Sequence, residues 1–196
     1  MSKKVLVPGG TGDMGVYLVP ELLKMGYEVD VISLDAMESS DPKLRYIKAN
    51  AKDKEYIAEM LKNGYDAVVD FMTYWSKEQR DTIPALYLKN TKHYIFLSTY
   101  RVYANEEHPI KETSPRIFDV TNDEDLLNSE DYCIHKAQSD EFLKASSSSY
   151  DLKGGSIRNS SLSLSVFIFS NEIVLFSYSD TFHNSKGKPL NSIAFN

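Results

Sequence analysis

At 196 residues the chain is long enough for one large domain, or one domain with an appendage, and for a sizeable core. Its formal net charge of −6 and pI near 5.3 supply no basic field for nucleic acid or an anionic membrane. The single cysteine, Cys133, excludes an internal disulfide and suits a reducing, cytoplasmic setting. Residues 1–4 run straight into an apolar strand without the apolar region of a signal peptide. The apolar-rich stretch 162–178 is interrupted by serines, Asn171 and Glu172, so it is not read as a membrane span.

The densest signal comes first. Val5-Leu6-Val7-Pro8 reads as a strand and Gly9-Gly10-Thr11-Gly12-Asp13-Met14-Gly15 as a glycine-rich turn. Val16, Leu18, Val19, Leu22, Leu23 and Met25 then recur at helical spacing up to Gly26, a C-cap glycine. Gly9 suits the backbone angles of a sharp turn, Gly12 keeps side chains away from a bound pyrophosphate, and Gly15 lets the helix lie close on the strand. The helix start offers unpaired N–H groups and the positive end of its dipole to the phosphates. A second strand, residues 28–34, ends at Asp35. That carboxylate can accept hydrogen bonds from an adenosine ribose and repels a 2′-phosphate, so NAD is expected rather than NADP. The plainer alternative is a glycine turn without a ligand; the strand, helix and acid around it favour the nucleotide.

Past Asp35, apolar runs alternate with helical patterns. A polar loop, 36–42, leads to a short strand at 45–48, and Asp53 is placed to cap a helix ending near Leu61. Residues 66–72 form the nearly continuous apolar run of a parallel strand covered on both faces. A helix follows at about 77–88, with Pro84 as a kink or early break, and then a fifth strand at 93–98. This spacing predicts an α/β fold, a Rossmann-like doubly wound parallel sheet with helices on both faces and a ligand crevice beyond the carboxyl ends of the strands. Gly9, Asp35, residues 71–73, Ser98 and Thr99 fall along that edge.

Tyr132 and Lys136 are four apart, which on a helix puts both side chains on one face. A lysine ammonium beside a phenol lowers the phenol's pKa from its reference of about 10 and makes a base usable near neutral pH. A hydroxyl from Ser98 or Thr99 could polarise a substrate oxygen for that base. In a chain with 13 tyrosines the pair is also readable as exposed helix neighbours. His135 is read as a surface or interface residue and Cys133 as a packed or partly exposed thiol. Trp75 is either loop packing or part of a cofactor wall, and 122–125 is a solvated helix start. His93, His108 and His183 are too scattered to suggest a metal site.

Five motifs stand in order: the glycine turn, Asp35, Ser98-Thr99-Tyr100-Arg101-Val102-Tyr103, Ile110-Lys111-Glu112-Thr113-Ser114-Pro115, and Tyr132 to Lys136 followed by Glu141. Together they resemble the short-chain dehydrogenase/reductase superfamily and, within it, the extended NAD-dependent epimerase/dehydratase family, over residues 3 to about 145. The resemblance implies NAD as cofactor, held by Gly9, Gly12, Asp13, Met14, Gly15, Asp35, Asn50, Phe71, Met72, Thr73 and Lys136. Asn50 stands where the family usually carries an aspartate near the adenine, and Phe71, Met72 and Thr73 would line the nicotinamide side. The resemblance also implies Tyr132 as catalytic acid/base, Lys136 as the group that lowers its pKa and holds the nicotinamide ribose, and Thr99 as the donor to the reacting oxygen. The implied reaction is transient oxidation of a sugar hydroxyl on a nucleotide sugar, with the hydride passed to NAD and returned. A homodimer through the helix carrying Tyr132 is implied as well.

Three departures from the family pattern bear on function. Pro8 replaces a frequent threonine. Asp13 replaces an aromatic or aliphatic residue and brings a carboxylate close to the expected diphosphate. Tyr100-Arg101 stands where sugar 4,6-dehydratases carry an aspartate and a glutamate, which argues against a dehydratase. From Ser146 the composition turns serine-rich. There Ser156-Ile157-Arg158-Asn159 faintly echoes the family's Arg-Pro strand, and 162–169 could pair with 173–178 as an edge hairpin. The expected division is an NAD-binding part, 1–145, and an irregular or β-hairpin tail, 146–196, read as a truncated or frame-shifted remnant without the substrate region. Two function classes follow: an NAD-dependent sugar-nucleotide epimerase or related oxidoreductase, and a non-catalytic NAD-binding module.

Overall fold

Strands buried on both faces build the sheet at the centre of the computed structural model, which describes residues 3–104, 106, 108–111, 113–151, 163–169 and 172–177. The strands β1 (Lys4–Pro8), β2 (Glu28–Ser33), β3 (Leu44–Lys48), β4 (Ala67–Asp70), β5 (His93–Phe96) and β6 (Ser163–Phe169) are joined by parallel ladders, and β7 (Glu172–Ser177) closes the edge antiparallel to β6. The spatial order is β3-β2-β1-β4-β5-β6-β7. The expected tail hairpin is present as β6 and β7, with Val166 opposite Leu175. The strand expected over 156–159, like His183, lies outside the described residues.

Because side chains alternate across a strand, β1 to β5 feed two cores. On one face Leu6, Ile32, Val68, Tyr94 and Phe96 pack with Ile57, Met60 and Leu61 of helix α2 (Lys54–Leu61), Ile83 and Tyr87 of α3 (Lys77–Asn90), and Leu143 of α6 (Tyr132–Asp151). On the other, Val5, Val7, Val29, Val31, Val69 and Ile95 pack with Leu18, Val19 and Leu22 of α1 (Gly15–Lys24). Helices therefore cover both faces, as the spacing predicts.

Local signals act as read. Asp53 caps α2 by accepting from Tyr56 N at 3.0 Å, and Ser76 caps α3 by accepting from Gln79 N. Gly26 takes a φ of +89° just past α1. Pro84 does not break α3, which runs six residues beyond it to Asn90. α6 runs through the serines at 146–149 to Asp151. Among the described residues no helix is long and apolar enough to cross a membrane.

β4 and β5 are shorter than the apolar runs that announce them. Their ladder stops at Asp70 opposite Phe96, and just beyond it the carbonyls of Met72 and Leu97 accept from the ammonium of Lys136 at 2.7 Å each. A side chain from α6 thus occupies the place where the sheet would have continued.

Candidate nucleotide-binding and catalytic site

β1 ends at Pro8 and the chain turns at once. Gly9 adopts a φ of +75°, which L residues rarely adopt, and its N–H donates to Ile32 O at 2.8 Å, tying the turn to the end of β2. Gly12 N–H donates back to Gly9 O and Val16 N–H to Gly12 O, both at 3.2 Å. A Cβ on Gly15 would lie 2.0 Å from Gly10 O, so α1 presses on the turn itself rather than only on the strand. Gly10 is a second close approach that the motif reading passed over: its Cβ would meet Val7 Cγ1 at 2.8 Å.

The side of the turn expected to receive a ligand is different. At Gly12 an added Cβ would meet only Gly9 O, at 3.5 Å. The N-terminus of α1 carries no side-chain cap and no acid in its first turn; Met14 is its N-cap and Asp13, just outside it, is exposed. Open space at Gly12 and an uncapped helix start fit a diphosphate. At the end of β2, Thr11 Oγ1 donates to Asp35 Oδ2 at 2.8 Å and Ser33 Oγ donates to the same oxygen at 3.1 Å. These two hydroxyls fix the carboxylate beside the turn through Oδ2 and leave Oδ1 out of both bonds. Asn50 lies exposed after β3, its Oδ1 accepting from Lys52 N at 3.0 Å.

Phe71, Met72 and Thr73 follow β4 and are partly buried, with Met72 Sδ 3.0 Å from where a Gly9 Cβ would be. Thr99 caps a short 3-10 turn, Tyr100–Val102, where its hydroxyl accepts from Arg101 N at a long 3.4 Å. Tyr132 opens α6 and is 37% exposed. The edge beyond β1, β4 and β5 therefore gathers the glycine turn, the 71–73 segment, Thr99 and the start of α6, as the fold requires.

The Tyr132–Lys136 pair departs from its expected electrostatics. The ammonium lies 5.8 Å from the centre of the Tyr132 ring and 4.3 Å over Phe96, and it donates to the Met72 and Leu97 carbonyls. Burial raises the Tyr132 phenol above its usual range, partly offset by Arg101, so the lowering expected from Lys136 is not found in this arrangement. The lysine is itself pushed down to about 8 by burial.

That depression has a sign in stability. The unfolded chain holds this proton up to its ordinary value of 10.5, while the folded chain releases it near 8. Stability should rise between those pH values, by on the order of 3 kcal/mol. Melting curves from pH 7 to 10 for the unaltered chain and Lys136→Met should diverge in slope; parallel profiles would show that the amine is not desolvated.

Sequence reasoning missed two residues on α6. Glu141, quoted in the motif, is exposed, whereas Asp140, one turn after Lys136, is buried and accepts from Ser98 Oγ at 2.7 Å and from Arg116. The (i, i+4) step from Tyr132 to Lys136 continues to 140, which was the available signal. His135 is not a surface residue: it is 4% exposed, between Arg80 and Glu130, with Trp75 against its ring edge. Cys133 is buried, and burial raises its thiol, so it is a packed thiol and no nucleophile.

The fold is shared with solved structures. The *Bordetella bronchiseptica* enzyme WbmG in complex with NAD aligns with a TM-score of 0.61 at 17% identity, covering 84% of this chain and 52% of that one. Its companion WbmH, in complex with NAD+, gives 0.59 at 20% identity over 74% and 53% of the two chains. UDP-glucose 4-epimerase from *Thermotoga maritima*, with UDP-glucose, gives 0.59 at 17% over 83% and 54%. This chain spans about half the length of each. No curated protein matches it by sequence. The sequence profile described as "NAD dependent epimerase/dehydratase family" matches residues 5–166, most of the chain, and NAD is that family's cofactor. With a family-wide match laid over a sheet, turn and edge of the required form, the chain belongs to the NAD-dependent epimerase/dehydratase family.

Proposed function

We propose that the chain is the nucleotide-binding and acid/base part of an NAD-dependent epimerase or related oxidoreductase that acts on a hydroxyl of a nucleotide sugar. The observation that carries this reading is the convergence of the open, uncapped glycine turn with Thr99 and Tyr132 on one sheet edge. NAD, when bound, supplies reversible hydride acceptance at its nicotinamide. The chain's own residues do the rest. Gly9, Gly12, Met14 and Gly15 form the turn and helix start that take the diphosphate, with Asp13 at its margin, Asp35 on the adenosine ribose and Asn50 near the adenine. Phe71, Met72 and Thr73 wall the nicotinamide side. Thr99 donates its hydroxyl proton toward the reacting oxygen, while Tyr132 Oη, as the phenolate, takes the proton from that oxygen and returns it; burial opposes that phenolate and Arg101 is the cation that partly offsets it. Lys136 holds Met72 and Leu97 in place with two of its N–H groups and would offer the third to a ribose hydroxyl. A nucleotide sugar, UDP-glucose, accompanies the Thermotoga maritima 4-epimerase in its structure, which supports that substrate class.

A second reading, an NAD-binding module without catalysis, is favoured by the Lys136 hydrogen bonds, which go to backbone carbonyls rather than toward Tyr132. One titration series separates them. NADH is added to the chain and to Tyr132→Phe, following energy transfer from Trp75 with NADPH as control, and then turnover of UDP-glucose is measured. NADH binding in both chains, with turnover lost by about a thousandfold in the variant, supports the enzyme. Binding without turnover in either supports the module, and no binding overturns both.

A further inference from the structure

Lys136 reaches the segment after β4 through the Met72 carbonyl. Its neighbour His135 reaches the same segment two residues later by another route. Arg80 Nη1, from the first turns of α3, donates to Tyr74 O at 3.2 Å and Trp75 O at 3.0 Å, and lies 3.0 Å from His135 Nδ1. A guanidinium has no acceptor, so Nδ1 must be the unprotonated nitrogen. The imidazole proton then resides on Nε2, which donates to Glu130 Oε2 at 3.1 Å. Arg80 Nη1 carries two hydrogens for three acceptors, so they are shared; without His135 the two carbonyls stay on Arg80, but Arg80 and the segment it holds are no longer tied to α6.

The surroundings make this ring a fixed part. The His135 side chain is 5% exposed, and Trp75 meets it edge-on with centroids 4.8 Å apart. The charged groups nearby are Glu130 and Asp131 before α6, Arg80 and Asp81 on α3, and Lys52, whose ammonium stands 5.8 Å from the centre of the Trp75 ring. Burial lowers Arg80, which makes its neutral acceptors the more valuable.

We infer that His135 is a positioning residue: as the Nε2–H tautomer it holds Arg80, and through Arg80 the 72–75 segment, against the start of α6. Two adjacent α6 residues thereby grip one segment at two points, Lys136 at Met72 and His135, through Arg80, at Tyr74 and Trp75. Releasing the second grip lets the segment lift, and Met72 with it. This rests on the proposed reading in one respect, that 71–73 walls the nicotinamide.

Three variants and one spectrum test it. His135→Leu removes the acceptor, His135→Asn places an amide oxygen where Nδ1 stands, and Arg80→Met removes the other partner. With melting curves confirming that each is folded, NADH affinity measured through Trp75 should fall about tenfold in His135→Leu, a hydrogen bond's worth. It should recover in His135→Asn, and adding Arg80→Met to His135→Leu should cost little more. If His135→Leu does not fold, His135→Asn alone still tests the acceptor: wild-type affinity supports the grip and a tenfold loss overturns it. An unchanged affinity in a folded His135→Leu overturns it as well. Nitrogen-15 NMR of the unaltered chain should show His135 protonated at Nε2 and bare at Nδ1; the opposite tautomer overturns the inference. That measurement needs no NADH, so it decides the grip even where the unaltered chain fails to bind and the proposed function falls.

Discussion

Gly15→Ala is expected to abolish folding, whereas Gly12→Ala, three residues earlier, is expected to fold normally and lose NADH. At Gly15 the new methyl carbon would stand 2.0 Å from Gly10 O, 2.3 Å from its carbonyl carbon and 2.5 Å from its Cα. All three are backbone atoms, so no rotamer change relieves the overlap. α1 would have to move off the turn and carry Leu18, Val19 and Leu22 out of their core. Overpacking typically costs about 1–3 kcal/mol and more where nothing can yield, against total stabilities of about 5–15 kcal/mol. At Gly12 the same carbon meets only Gly9 O at 3.5 Å, ordinary contact, but it occupies the open side of the turn. Circular dichroism and NADH titration of both variants check the pair. A Gly12→Ala chain that binds NADH undiminished would remove the diphosphate from this turn.

Asp140→Ala should be the most damaging change on α6. Its side chain is 2% exposed and accepts from Ser98, at the end of the β5 run, and from Arg116, whose guanidinium sits 5.4 Å over the Tyr103 ring. One carboxylate therefore fastens α6 to both ends of the 98–116 stretch, which includes Thr99. Burial pushes Asp140 above the usual carboxylate range in spite of Arg116 and Ser98. Removing one member of a buried pair costs about 3–5 kcal/mol because the partner charge is left without compensation. At this chain length that is a fall in melting temperature of roughly 10 °C. Asp140→Asn, which keeps an acceptor, should fall less; equal losses would show that packing rather than charge holds the junction.

The legibility of the fold from sequence followed physical range. Apolar runs alternating with helical patterns placed β1 to β5, and Asp53 and Gly26 bound elements where they were read, Asp53 at the start of α2 and Gly26 just past α1. These signals are local, set by residues that touch their own neighbours. The glycine turn was legible because three glycines in fixed spacing serve one shape. Gly10 has a local cause, Val7 Cγ1 at 2.8 Å, and a distant one, Val31 Cγ1 on β2 at 3.0 Å; neither is announced by glycine spacing, which marks only the shape of the turn. His135 was misread because nothing near it in the chain announces Arg80, 55 residues earlier. The Tyr132–Lys136 electrostatics went astray for the same reason: spacing on a helix fixes which face a lysine shares, while the Met72 and Leu97 carbonyls decide where its ammonium goes.

The order of the sheet also governs how the chain assembles. β1 is made first yet lies in the interior, with β2 on one side and β4 on the other, Val5 pairing with Ala67. Until β4 has left the ribosome, one edge of β1 has no neighbour and only the β1–α1–β2–β3 part of the sheet can close. The fold is therefore committed late, by long-range contacts that are slow to form, and its early stages expose an unpaired strand edge open to association.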